Sequence, residues 1–344
     1  MIDALGWSSA RWAAFMWPTV WDATIVALLS LGVLIPCVRR VSSNLAMAVA
    51  TVALLKFFVP PAVLAPIAIV DRVAGWLEPT AVVAWFPETW VWPLMLLHVA
   101  GVVVMLASLV RQRQSLRRVR LSGRAVTEGT CYEDLCTAAE ALSIDTKPAL
   151  IVTDAVDAPI AIGVRSPAIL LPTISTTRLT RNELRLVLAH ELAHHKMRDL
   201  LGELGLGLAT AMWWFHPAVW ALAARMRELR EERCDALVVR TFTDAETYCR
   251  AILAVAATRL PPPSIAMRRH GHPLGRRFER LLTYRDPHRW QKSLAAVLVG
   301  VFTVAALPNT PGQDQRADRY SAASVAGAVR DQVRIEEVRR IRIP

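Results

Sequence analysis

The sequence predicts a mainly α, polytopic membrane protein with about four transmembrane helices and a cytoplasmic α+β domain carrying a small edge-strand sheet. Three observations predict it. The chain of 344 residues is 54% hydrophobic, and its mean hydropathy of +0.34 exceeds that of ordinary soluble proteins. Long apolar runs end in arginine clusters, and the 12 tryptophans suit aromatic belts at membrane interfaces. Between the runs lies a stretch with short β-like segments and helices of ordinary polarity.

The net charge of +11 admits nucleic-acid binding, but the basic residues crowd against the apolar runs. That placement favours the excess of cytoplasmic positive charge seen beside membrane spans, and no direct nucleic-acid partner is expected. The five cysteines (Cys37, Cys131, Cys136, Cys234 and Cys249) are odd in number and show no zinc-ribbon spacing. They read as free thiols in a reducing compartment. The first residues lack the basic and small-residue features of a signal peptide.

Residues 1–19 hold Trp7, Trp12 and Trp17, which with Trp21 suit a headgroup interface. Val20 to Val38 is long enough to span a bilayer and stops at Arg39-Arg40, so the N-terminus is expected outside. A second run, Leu45 to Val70, contains Lys56 and is broken by Pro60, Pro61 and Pro66. An intramembrane lysine can be functional, but the simpler expectation is a side chain reaching an interface. The loop up to Trp92 carries Asp71, Glu78 and Glu88 against Arg72, with Trp76, Trp85 and Trp90, as on an outer surface. Val91 to Val110 is a third run, followed by Arg111, Arg113, Arg117, Arg118, Arg120 and Arg124. It puts the following domain in the cytoplasm, against the membrane surface. The expected organisation is a membrane module over 1–110 and a cytoplasmic domain over 111–291. A fourth span over 292–308 and a short outside tail over 309–344 follow.

Within the cytoplasmic region, Tyr132 to Leu142 reads as a helix. Ala149–Val152, Ile160–Gly163 and Ala168–Leu171 read as short strands, with Pro159, Pro167 and Pro172 confining them to edges or strand ends. Such an edge could dock an extended peptide or could simply be blunted by proline. Thr180-Arg181-Asn182-Glu183 is a capping box that starts the next helix. That helix carries His190-Glu191-Leu192-Ala193-His194, an HExxH motif. Residues four apart share a helix face, so the two imidazoles can meet one metal ion while Glu191 serves as general base. Such sites bind Zn2+ and hydrolyse amides.

Leu200 to Ala224 is apolar, interrupted by Glu203 and by His216-Pro217, with Gly202, Gly205 and Gly207 available for close packing. Basic residues lie on both sides, so residues 200–224 are expected to form a hairpin dipping into or lying on the bilayer. Arg225 to Arg240 reads as a helix with Glu228, Glu231 and Asp235 in one row, and Glu232 about 100° away. Given the HExxH motif, that row is expected to supply a third ligand and an outer carboxylate. Residues 244–257 form another helix, and 260–290 are proline- and arginine-rich.

The ordered set resembles the M56 family of membrane zinc metallopeptidases, which includes the BlaR/MecR-type sensor-transducers. It comprises Ser166-Pro167-Ala168-Ile169-Leu170-Leu171-Pro172, His190-Glu191-Leu192-Ala193-His194 with Asp199, Trp214-Phe215-His216-Pro217, and Glu231-Glu232-Arg233-Cys234-Asp235. The last is similar to the family's ExxCD. The resemblance covers roughly residues 20–307 and implies a gluzincin-like fold. It implies His190, His194 and Glu231 as zinc ligands, Glu191 as the catalytic base, and Asp199 and Asp235 as partners orienting the histidines. His195, His216 and Tyr248 are weaker candidates, Tyr248 or a histidine for the oxyanion.

The resemblance further implies a multi-pass protein of the bacterial inner membrane that cleaves a cytoplasmic winged-helix repressor of the BlaI/MecI kind, itself, or both. Membrane lipid is an expected partner, and a homodimer is left open. A non-catalytic zinc-binding receptor or scaffold is the rival reading, against which the intact Glu191 argues. Family sensors carry a penicillin-binding domain after the fourth span. The 309–344 tail is too short for one and lacks Ser-x-x-Lys. Activation is therefore expected through a partner, a small ligand at the loops, or the state of the membrane.

Overall fold

A computed structural model of the chain describes residues 2–40, 42–58, 88–259 and 273–283, with isolated positions between 290 and 300. The proline break at Pro60, Pro61 and Pro66 and the acidic loop with Asp71 and Glu78 lie outside the described residues. So do residues 260–272, most of the run expected as a fourth span, and the tail.

The first helix is longer than the apolar run alone suggests. α1 covers Ile2–Leu29 and continues through a π turn, Ser30–Leu34, into α2, Ile35–Arg39. Its tryptophan-rich opening is therefore part of the helix. α3, Ser43–Leu55, starts on Ser42, whose hydroxyl accepts from the Leu45 N–H, and passes into a 3₁₀ turn, Lys56–Phe58. Lys56 is buried there, so its side chain does not extend to a surface as expected. α4, Glu88–Ser122, is one helix from Trp90 through Arg120 of the arginine cluster. Leu116 and Val119 on its final turns pack against the sheet, which leaves Arg111, Arg113, Arg117 and Arg118 facing outward. Among the described residues two helices are long and apolar enough to cross a membrane, Thr19–Arg39 and Trp90–Ser122; Ser43–Phe58 is apolar but shorter. Trp90, Leu97, Val103 and Val104 on α4 are exposed.

The sheet contains the three expected strands plus one more. β1 is Arg124–Val126, β2 Ala149–Thr153, β3 Ile160–Ile162 and β4 Ala168–Pro172, in the order β1-β2-β4-β3. β2 and β4 run parallel, with Leu150 opposite Ile169; β1 lies antiparallel to β2 and β3 antiparallel to β4. The prolines work as strand punctuation: Pro172 ends β4, which is nevertheless central and buried throughout. Only β3 and β1 are edges. Gly163 closes β3 with φ of +83°, a conformation that L side chains rarely adopt.

Helices α5 (Thr130–Ala141), α6 (Thr173–Arg178) and α7 (Arg181–Lys196) follow and interleave with the strands. Thr180 and Glu183 form both halves of the capping box on α7. α8 (Asp199–Met212) and α9 (Pro217–Phe242) make a helical hairpin, with Pro217 at the first turn of α9, where its missing N–H costs nothing. α10 is Ala245–Arg259, started by Asp244 accepting from the Thr247 N–H, and α11 is Pro273–Thr283.

The core is divided. One cluster joins α1, α2 and α3 to the hairpin through Ala27, Ile35, Val49, Phe57, Trp213, Val219 and Leu222. A second joins α5, the sheet, α7, α10 and the far part of α9 through Leu135, Leu150, Leu188, Leu192 and Val238, and a small third packs Ile151, Ile162, Ala168 and Leu170 of the sheet against the end of α4. Of the hairpin glycines, only Gly207 is tightly packed, against Leu109; Gly202 and Gly205 face open space. Gly101 on α4 instead provides the close approach, beneath the ring of Trp214.

Candidate metal centre

The hairpin tip is fastened to the apolar helices by polar side chains. The Trp12 indole N–H donates to His98 Nδ1 at 3.1 Å, so His98 Nε2 carries the hydrogen it gives to the Met212 carbonyl at 2.9 Å. His216 lies 2.9 Å from the Thr24 hydroxyl and against the Phe57 ring. It belongs to this seat and is remote from the HExxH helix.

At the opposite end of the hairpin, Met197 caps α7, and Arg198 adopts a left-handed conformation with φ of 55°. This turn aims Asp199, the first residue of α8, back at the helix that precedes it. Asp199 Oδ2 lies 2.9 Å from His194 Nδ1. A carboxylate only accepts, so Nδ1 carries the hydrogen and the lone pair of His194 is on Nε2. His190 reaches the same state by a longer route. Its Nδ1 lies 2.8 Å from the Tyr248 hydroxyl, whose own hydrogen goes to Asp235 Oδ1 at 2.8 Å. The tyrosine oxygen therefore accepts from His190 Nδ1–H, and in the neutral ring Nε2 holds the lone pair. Asp235 Oδ1 is itself 3.3 Å from Nδ1.

Both Nε2 atoms face Glu231. They lie 3.5 Å (His190) and 3.6 Å (His194) from its two oxygens, and the ring centroids are 4.8 Å apart. The donor atoms of His190, His194 and Glu231 all fall within 4.8 Å of one another. Two imidazole nitrogens and one carboxylate, each nitrogen preset by a partner on its far side, fit the donor set of a catalytic zinc ion. A second trio, His194, Asp199 and Cys234, also converges. It fits less well: Cys234 Sγ is 3.3 Å from His194 Nδ1, the nitrogen already committed to Asp199. Burial, reinforced by the Asp199 charge, pushes the Cys234 thiol well up, so it stays protonated and donates to Asp199 Oδ2 at 3.2 Å.

Glu232 turns elsewhere. It accepts from Arg39 Nε at 2.9 Å and pairs with Arg280. Glu228 pairs with Arg225 at 2.6 Å. The 100° step between adjacent helical residues thus turns Glu232 away from the row, within which Glu231 faces the two Nε2 atoms and Asp235 stands behind His190 on its Nδ1 side. Glu191 is buried, and its Oε2 accepts from the Ala161 N–H of β3 at 2.7 Å. The edge strand and the candidate base are in direct contact.

Sequence reasoning did not identify Arg277. Its guanidinium donates from Nε to Asp235 Oδ2 at 2.6 Å and from Nη2 to Oδ1. Nη1 lies 3.6 Å from Glu231. Tyr248 is 2% exposed and stands on the Nδ1 side of His190, behind the ring. It is therefore wrongly placed for an oxyanion partner, which would sit by Nε2. His195 points away toward β4, where the Ala168 backbone bonds it, and burial lowers its pKa.

The charges are strongly coupled. Burial opposes protonation of His190, but hydrogen bonds to Asp235 and Glu231 outweigh it and raise its pKa to about 9. Burial would raise Glu231, yet the hydrogen bond and charge of His190 hold it at about 2. Asp235 is likewise held below the usual carboxylate range: burial is overcome by His190 and Arg277.

The profile of the BlaR1 peptidase M56 family matches residues 5–281, and the chain belongs to this family of peptidases. It is similar to the regulatory protein BlaR1 of Bacillus licheniformis, with 29% identity over 143 residues. That alignment spans 42% of this chain and 24% of the relative.

Proposed function

We propose that the protein is an integral-membrane zinc endopeptidase whose active centre is His190, His194, Glu231 and Glu191. The observation that carries the reading is the convergence of two preset Nε2 atoms on Glu231 beside a carboxylate held by an edge strand. Bound there, zinc supplies a Lewis acid for the scissile carbonyl and lowers the pKa of a water molecule. Glu191 Oε1, the oxygen not engaged by Ala161, takes a proton from the attacking water and returns it to the leaving amine. Asp199 holds His194 by its Nδ1–H, and the Tyr248–Asp235 pair holds His190. A polypeptide laid along β3 brings its amide to Glu191, because the outward N–H of Ala161 already points there.

The exposed apolar face of α4 supports a lipid-facing span, and the arginines at its end support a cytoplasmic position for the centre. The proposed substrate is a cytoplasmic winged-helix repressor of the BlaI/MecI kind, the protease itself, or both, as a step in signal transduction across a bacterial inner membrane. The test uses protein purified in lipid with a co-purified candidate repressor. Wild type is expected to hold about one zinc per chain and to cleave; His194→Ala loses the metal, and Glu191→Ala keeps it without cleaving. Cleavage unchanged by Glu191→Ala would sink the proposal. Zinc without any cleavage of repressor or self would identify a non-catalytic zinc receptor instead.

A further inference from the structure

We infer that Arg277 is a positioning residue of the metal centre, acting through Asp235 and Tyr248 on His190. The inference rests on the metal-site reading above. Asp235 is 2% exposed, and its Oδ1 serves both the Tyr248 hydroxyl at 2.8 Å and His190 Nδ1 at 3.3 Å. A buried carboxylate with no opposite charge is strongly disfavoured, and a freely rotating one would not keep one oxygen on these partners. The Arg277 fork meets both needs. Nε grips Oδ2 at 2.6 Å while Nη2 reaches Oδ1, which fixes the carboxylate plane with Oδ1 toward Tyr248. Tyr248 then turns its oxygen, as acceptor, to His190 Nδ1–H. The order of dependence is Arg277, Asp235, Tyr248, His190, and it ends with the His190 lone pair on Nε2.

Arg277 does not substitute for the metal. Its Nη1 is 3.6 Å from Glu231, beyond a hydrogen bond, so Glu231 stays available to a cation. Nor is the residue simply the means by which α11 docks. Arg280, one turn further along α11, already pairs with Glu232, which turns away from the histidines. The two arginines divide the work, one anchoring the helix and the other setting a carboxylate.

The experiment measures zinc affinity by chelator competition in lipid for wild type, Arg277→Gln, Arg277→Lys, Arg280→Gln, Asp235→Asn and the Asp235→Asn/Arg277→Gln double variant. Metal-free thermal unfolding of each shows that the fold persists. Arg277→Gln is expected to weaken affinity by about 10–100-fold, the usual effect of losing an outer partner of a ligating histidine. Arg277→Lys keeps the charge without the fork and falls between. Arg280→Gln stays within about threefold of wild type. In the Asp235→Asn background, Arg277→Gln adds less than about threefold, because the carboxylate it grips is gone and only its 3.5 Å contact with the Tyr248 hydroxyl remains. Full additivity, an equal loss for Arg280→Gln, or no loss for Arg277→Gln overturns the inference. Wild type that binds no zinc overturns the metal-site reading instead.

Discussion

Glu231 and Glu232 are adjacent in sequence, equal in chemistry and opposite in surroundings, so a paired substitution tests the site sharply. Glu231 faces both Nε2 atoms at 3.5 and 3.6 Å, and its side chain is 43% exposed, at the open side of the centre. Glu232 is 13% exposed and held by Arg39 and Arg280. Structural zinc sites with four protein ligands are worth about 10–16 kcal/mol, or about 2.5–4 kcal/mol per ligand. At about 1.4 kcal/mol per tenfold, Glu231→Gln is expected to weaken zinc binding by about 10²–10³-fold. Glu232→Gln removes no ligand and is expected to leave zinc affinity within about threefold. It leaves two arginines without their carboxylate, so its cost appears as a lower unfolding temperature. The assay is chelator competition at fixed pH on lipid-embedded protein, paired with thermal unfolding. Equal losses of affinity for the two variants, or none for Glu231→Gln, would refute the assignment of the third ligand.

Two further outcomes follow from the geometry. Metal-free His190 has its pKa raised from 6.5 to about 9, so zinc must displace a proton below that pH. Apparent zinc affinity should climb about tenfold per pH unit between pH 7 and 9 and then level; a flat profile would count against the coupling. For folding, a raised pKa stabilises below 6.5 and the benefit is lost as pH rises through 9, so the metal-free unfolding temperature should fall across that window. The second outcome concerns helix packing. Gly101→Ala would put a Cβ 2.3 Å from the Trp214 ring and should cost about 1–3 kcal/mol. Gly205→Ala meets nothing within 4 Å and should stabilise by about 0.5–1 kcal/mol. Thermal unfolding of the two variants in lipid checks the opposite signs.

What the sequence made legible was local. The capping box set the phase of α7, which put His190 and His194 on one face, and the same helical arithmetic separated Glu231 from Glu232. Pro217 marked the hairpin turn because proline is tolerated at a helix start and not within. What escaped was long-range or weakly patterned. β1 is three residues, Arg124–Val126, with no alternation to announce it. The placement of β4 at the centre depends on pairing with β2 across a turn and another strand. Lys56 is buried by packing that its neighbours in sequence do not reveal. Arg277 lies in an arginine-rich stretch where a solvated charge is the ordinary expectation, and only its meeting with Asp235, 42 positions away, shows otherwise.

The split core has a practical consequence. Trp213, Val219 and Leu222 sit on the same hairpin that carries Asp199 on one arm and Glu231 and Asp235 on the other. Their burial is completed by Ala27, Ile35, Val49 and Phe57 from α1, α2 and α3. Cutting the chain at residue 111 to make a water-soluble catalytic fragment would therefore expose one wall of this cluster and free the helices that carry Glu231 and the two aspartates behind the histidines. Biochemistry on this protein belongs in detergent or lipid with the first helices retained, and a truncated preparation that aggregates or fails to hold metal would say nothing about the intact molecule.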